Sequence, residues 1–158
     1  MYISKVSLIN YKNFKNAKIL LNKGINTIIG ENGSGKTNLF KAIRLLLEDT
    51  SLHYSYKLSE NDFNRALEND NWKGHWIIIS LEFDEINNEE AIQSLFIHGA
   101  GIAEKEYVKK ASYNLFFRPK ADIRQKLSEL NNGDVFVIVD VLPVISSGEY
   151  VTGSSGIS

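Results

Sequence analysis

Eight consecutive residues, Gly30-Glu31-Asn32-Gly33-Ser34-Gly35-Lys36-Thr37, have the types and spacing to hold a string of phosphates. They fit the pattern G-x-x-x-x-G-K-[ST]. A triphosphate needs many donors converging on one concave surface. Backbone N–H groups converge that closely only where side chains are small and φ is free, which is the use of Gly30, Gly33 and Gly35. A helix starting at the end of the loop adds unsatisfied N–H groups and a partial positive charge. Lys36 supplies a mobile point charge for the β- and γ-phosphates, the one catalytic role assigned here. The Thr37 hydroxyl is a hard oxygen ligand for Mg²⁺, a cation that takes few protein groups and keeps its waters. Asn38 closes the cofactor-binding stretch, residues 30–38, which is expected to hold a nucleotide with Mg²⁺. The competing reading is a glycine turn that caps a helix and holds nothing. At average residue usage the bare pattern arises by accident in roughly one chain in two hundred of this length, so its setting must decide.

That setting is a strand before the loop and a helix after it. Ile25-Asn26-Thr27-Ile28-Ile29 reads as the strand. Asn38-Leu39-Phe40-Lys41-Ala42-Ile43-Arg44-Leu45-Leu46-Leu47 reads as the helix, apolar on nearly every side and so expected to be buried on most faces. Lys41 and Arg44 fall three apart, on one solvent-facing stripe. Upstream, residues 2–9 and 17–21 alternate as two strands, expected to pair antiparallel across the polar turn 10–16. Asn22-Lys23-Gly24 has the chemistry of a hairpin turn.

Downstream, Ser59-Glu60-Asn61-Asp62 carries an S-x-x-D start signal, which predicts a short helix over residues 61–67. Residues 75–84 form a strongly apolar strand, expected to be central. Residues 87–98 read as a helix and 106–118 as a long alternating strand that Pro119 ends. A helix over 120–130 and a last strand over 135–141 follow. Residues 146–158 form a small-residue tail.

Composition bounds the answer. The 158 residues are 43% hydrophobic and 23% charged, which reads as one ordinary globular domain. There is no cysteine, so disulfides and cysteine-based zinc sites are excluded. His53, His75 and His98 lie far apart and form no ligand cluster. The net charge of −1 gives no overall footprint for nucleic acid. No signal peptide or apolar run of membrane-spanning length is visible, and a cytoplasmic protein is expected.

The opening Ile9-Asn10-Tyr11-Lys12-Asn13-Phe14-Lys15-Asn16, the stretch from Gly24 through the glycine loop to Asn38, and Ala42-Ile43-Arg44 resemble the start of an ABC-type ATPase head. The branch they resemble is that of the SMC and RecF-like proteins. Within it the nearest resemblance is to the OLD (overcoming lysogenization defect) family of ATP-dependent endonucleases, whose glycine loop also sits near residue 30. There, too, a stretch like Ser59-Glu60-Asn61-Asp62-Phe63 precedes a strand like residues 76–83. The resemblance implies an α/β fold: a P-loop NTPase of ABC-ATPase type, a mixed sheet with N-terminal antiparallel strands packed with helices. It implies a lobe of strands against the nucleotide, two heads sandwiching ATP in a homodimer or higher oligomer, DNA as partner and no membrane. For OLD proteins it also implies a separate Toprim-type nuclease domain, with DNA repair or phage defence as the setting.

The second half departs from that pattern. The family carries a serine-glycine signature and then an apolar strand ending in Asp-Glu. Val135-Phe136-Val137-Ile138-Val139-Asp140 imitates the strand, but Val141 stands where the Glu belongs, and Ser147-Gly148-Glu149 comes after it. Asp140 is therefore read as an ordinary strand-end residue, and Asp62 as a weak alternative metal-site acid. Gln93 and Gln125 fall in predicted helices, so no metal-sensing glutamine is assigned. Residues 1–158 are expected to be the N-terminal portion of an ABC-type ATPase domain that binds ATP without efficient turnover by itself.

Three functions compete. The first is an ATPase head of an OLD-like DNA-processing endonuclease or of an SMC/RecF-like repair ATPase. There Lys12 and Lys15 would touch nucleotide or DNA, against a solvated turn whose Tyr11 and Phe14 fold into the core. The second is another P-loop enzyme. A GTPase is disfavoured because the only Asn-Lys, Asn22-Lys23, lacks the Asp of a guanine reader and precedes the loop. The third is a non-catalytic, nucleotide-dependent dimerisation module.

Overall fold

The computed structural model describes residues 1–47, 58–67, 74–86, 89, 110–129 and 150–155. Five strands form one sheet in the order β2-β1-β3-β4-β5. They are β1 (Tyr2–Tyr11), β2 (Phe14–Leu20), β3 (Ile77–Asp84), β4 (Lys110–Pro119) and β5 (Tyr150–Ser155). Helix α1 (Lys36–Leu47) follows the glycine loop, and α2 (Ala121–Glu129) follows β4. Every pairing among these strands is antiparallel. The parallel part that a mixed sheet expects is not among the described residues.

Alternation decides which face is buried. Val6 and Leu8 of β1 and Ile77, Ile79 and Leu81 of β3 are fully buried, and their registers align them: Val6 opposite Leu81, Leu8 opposite Ile79. The row continues to Ala17 and Ile19 on β2 and to Tyr113, Leu115 and Phe117 on β4. Helix α1 covers this face with Leu39, Ala42 and Leu46, spaced i, i+3, i+7, together with Leu45. Ile123 and Leu127 of α2 join the same core.

The opposite face is half-buried. Lys5 pairs there with Glu82 across the β1–β3 ladder. Farther along, Trp76 and Phe116 meet edge to face at 6.2 Å, and the Arg118 guanidinium lies 5.4 Å from the Trp76 ring centre.

The expected β1–β2 hairpin and the central position of β3 are both present. Five expectations need correction. Residues 25–29 form no strand: Ile25 is 96% exposed and Ile29 90%, because no neighbouring strand among the described residues accepts their ladder. The bend at 22–24 is real, with Gly24 at φ +96°, yet it opens no hairpin. The Asn26 side chain closes it, bonding the N–H and C=O of Asn22. The exposed Lys23 beside it pairs with Glu85, whose hydrogen bond and charge raise the Lys23 ammonium pKa.

Helix α1 is amphipathic rather than buried on most faces, since Phe40 and Leu47 are about half exposed. Lys41 and Arg44 do face solvent. The expected helix over 61–67 is one 3₁₀ turn, Glu60–Asp62, because Phe63 leaves it in an extended conformation to bridge Tyr11. The S-x-x-D signal is used locally: Asp62 accepts from the Ser59 N–H at 2.8 Å. Finally, the small-residue tail contains β5, whose backbone pairs with the free edge of β4.

The helix expected over 87–98 and the strand over 135–141 lie outside the described residues, Glu89 excepted.

Candidate functional site

The glycine loop closes on its own lysine. The Lys36 ammonium donates to the carbonyl of Gly30, to the carbonyl of Glu31 at 2.7 Å and, at the edge of bonding distance, to Ser34 Oγ at 3.5 Å. A β-carbon at Gly30 would come 2.8 Å from Ser34 Oγ, so any side chain there would turn the Ser34 hydroxyl away. Ser34 N–H bonds back to Glu31 C=O at 3.2 Å, making the inner turn. The first intrahelical bond of α1 runs from Leu39 N–H to Gly35 C=O. The preceding N–H groups therefore face the loop rather than the helix. No acidic side chain sits in the first turn, so the positive end of the helix dipole is not neutralised from within α1.

A second element grips the loop from outside. Asn13, in the turn between β1 and β2, donates from Nδ2 to the Ser34 carbonyl at 3.2 Å, and its Oδ1 accepts from Asn38 Nδ2 at 2.9 Å. Gly35, at φ +101°, lies beneath this amide: a β-carbon there would sit 2.2 Å from Asn13 Nδ2. Only glycine satisfies both the backbone angle and the contact.

The turn is itself anchored. Lys12 N–H donates to Asp62 C=O at 2.7 Å, and Asn64 Nδ2 donates to Lys12 C=O at 2.9 Å. The Lys12 ammonium lies 2.7 Å from Asp62 Oδ1, and Asp62 is 2% exposed. Between the turn, the start of α1 and residues 61–66 opens a cavity of about 500 Å³. Lys12, Asn13, Asn38, Asn61, Phe63, Asn64, Arg65 and Ala66 line it. The volume is in the range of small-molecule sites.

Of the residues predicted from sequence, Gly30, Glu31, Ser34 and Lys36 converge on one ammonium. Gly35 and Asn38 meet Asn13. Asn32 and Gly33 form the exposed outer turn, and Thr37 is exposed at the first turn of α1. Asp62 is corrected: its carboxylate is taken up by Lys12 and Ser59, so it is no free metal acid. Lys12 is held by Asp62 and the Asn61 carbonyl, while Lys15 stays exposed on β2. Tyr11 is fully buried and Phe14 packs on the core, as the alternative for that turn expects. Gln125 bonds Glu129 one turn along α2. His75 is exposed, and His53, His98, Gln93 and Asp140 lie outside the described residues. No group of three or more His, Asp or Glu that could hold a metal occurs among the described residues. No described helix is long and apolar enough to cross a membrane.

Sequence reasoning missed Asn13, Asn61, Asn64 and Arg65 as residues around the loop. Asn13 lies 21 residues from Ser34 and 25 from Asn38 along the chain. No local pattern links them, and the only signal is a polar amide at the tip of a hairpin.

Similarity to known proteins agrees with this geometry. The chain is 38% identical over 93 residues to the chromosome partition protein Smc of Methanococcus voltae, covering 58% of this chain and 8% of that protein. It is 33% identical over 81 residues to the DNA replication and repair protein RecF of Clostridium botulinum, covering 51% of this chain and 20% of RecF. With RecF of Cytophaga hutchinsonii the identity is 50% over 46 residues, or 29% of this chain and 12% of that one. The chain thus spans a fifth or less of the length of these relatives.

A solved structure from work on ATP-driven dimerisation and DNA-stimulated activation of SMC ATPases superposes with a TM-score of 0.51 at 21% identity. That match takes in 75% of this chain and 64% of the other. The fold is that of a P-loop ATPase of ABC type. The AAA ATPase domain family matches residues 1–142, and the chain belongs to that family.

Proposed function

We propose that this chain binds ATP with Mg²⁺ through residues 30–38, as the nucleotide-binding part of a head that pairs with a second head and works with DNA. The observation that carries the reading is the closed loop: one ammonium, Lys36, gathers the carbonyls of Gly30 and Glu31 while the first-turn N–H groups of α1 stay free of intrahelical partners. The first-turn N–H groups offer donors to phosphate oxygens, and the Lys36 ammonium joins them by exchanging a loop carbonyl for a phosphate oxygen. The neighbouring cavity has room for the nucleoside. Thr37 is exposed with no first-turn carboxylate beside it, which suits a cation that takes one protein oxygen and fills its shell with phosphate and water.

Relatives named for chromosome partition and for DNA replication and repair support DNA as the partner. Dimerisation driven by ATP is supported by the solved SMC neighbour. The head is that of an SMC/RecF-like ATPase or of an OLD-like endonuclease, the latter resting on the opening stretches and the position of the loop. Residues 1–158 then form the N-terminal portion of the head, binding ATP without efficient turnover by themselves. A nucleotide-dependent dimerisation module is the second reading, favoured by exposed Phe40 and Leu47 on the helix that leaves the loop.

Titration of Mg·ATP into the wild-type chain and into Lys36→Ala tests the proposal. Saturable binding that weakens at least about a hundredfold in the variant is the expected result. Equal binding by both proteins would remove the loop from the account.

A further inference from the structure

The geometry points to Asn13 as a positioning residue that sets the conformation of the glycine loop from outside it. This rests on the phosphate-binding reading of residues 30–38 and deepens it. The physical problem is the Ser34–Gly35 peptide. Glycine at φ +101° gives little resistance to rotation of that peptide plane. In a trans peptide the carbonyl and the following N–H point in opposite directions. Rotation would therefore exchange the Gly35 N–H for the Ser34 carbonyl on the side where a phosphate oxygen would lie. A donor would become a repelling acceptor.

Asn13 blocks this exchange. Its Nδ2 holds the Ser34 carbonyl at 3.2 Å, which directs the Gly35 N–H away from the β1–β2 turn. Its Oδ1 takes the Asn38 amide at 2.9 Å, so the same group fixes the loop to the first turn of α1. The carboxamide also fills the space that any side chain at position 35 would need. Asn13 is held in turn by a rigid base. Asn10 and Lys12 precede it at φ +53° and +51°, a region non-glycine residues enter at a cost. Three bonds from residues 62–64 keep the turn there: Lys12 N–H to Asp62 C=O, Asn64 N–H to Asn10 C=O and Asn64 Nδ2 to Lys12 C=O. Backbone strain retained next to an exposed amide fits a side chain that must be aimed.

The test titrates the full chain and its variants with Mg·ATP and with inorganic tripolyphosphate, a probe that lacks the nucleoside. Asn13→Ala is expected to weaken both ligands about tenfold, the size of one or two net hydrogen bonds. Asn13→Ser adds no charge and lacks the carboxamide that joins Ser34 to Asn38, and is expected to weaken both to a similar degree. Both bonds are present without ligand, so the melting temperature of the free protein should fall by about 2–6 °C. Should Asn13→Ala melt earlier than that, the neutral Ser variant decides alone: weakened phosphate binding supports the assignment, and wild-type binding overturns it. Full binding by both Asn13 variants, with binding lost in Lys36→Ala, would reject Asn13 while leaving the nucleotide site standing. No binding of either ligand by the wild type would reject both.

Discussion

Lys12 and Asp62 are joined twice, by a 2.7 Å bond from the Lys12 N–H to the Asp62 carbonyl and by a 2.7 Å ion pair between their side chains. The pair ties the tip of the first hairpin to the segment that enters β3. Asp62 is almost wholly buried, whereas the Lys12 side chain keeps 29% of its exposure. Removing the carboxylate leaves an ammonium that still reaches water, so the cost falls below that of a fully buried pair. Asp62→Ala is expected to destabilise the chain by about 2–3 kcal/mol in urea unfolding. Lys12→Met should cost at least as much, because it leaves the almost wholly buried Asp62 carboxylate with the Ser59 donors in place of a cation. A loss under about 0.5 kcal/mol for Asp62→Ala would show that the turn is held by its backbone bonds alone.

Gly33 and Gly35 separate two reasons for glycine. Both have positive φ, +85° and +101°. A β-carbon at Gly33 meets nothing within 4 Å, while one at Gly35 collides with Asn13. Gly33→Ala should cost only the backbone term, about 1 kcal/mol. Gly35→Ala should cost clearly more, or displace Asn13. Thermal melts of the two variants side by side check the order, and equal losses would contradict the contact.

Much of this was legible because the chemistry is local. Gly30, Gly33, Gly35 and Lys36 act through backbone geometry within a few residues, so a linear pattern contains them. The hairpin of β1 and β2 shows as alternation around a polar turn. What stayed hidden depends on partners far along the chain. Ile25 and Ile29 are apolar enough for a strand, but alternation says what a segment needs and not whether a neighbour is present. Residues 61–67 carry a sound helix start, and the pairing of Phe63 with Tyr11 overrides it. Thr152, Gly153 and Ser154 look like tail residues, yet the open edge of β4 recruits them. Asn13 reads as one more polar turn residue until the loop is folded against it.

Ile25 and Ile29 should behave as surface residues, unlike Ile28 between them, which packs against the core. Ile25→Ser and Ile29→Ser are each expected to change stability by no more than about 0.5 kcal/mol. Ile79→Ala, at the fully buried centre of β3, should cost about 2–5 kcal/mol. Chemical denaturation of the three variants gives the comparison. A core-sized loss at Ile25 would mean that its side chain is packed in solution.

Hydrogen exchange of the backbone amides, with and without saturating Mg·ATP, tests the phosphate cradle most directly. The expected result is strong slowing over residues 33–38, with weaker slowing at 61–66 where the cavity wall lies. Nucleotide-induced slowing elsewhere in the chain, with residues 33–38 exchanging as fast as in the free protein, would contradict the central claim.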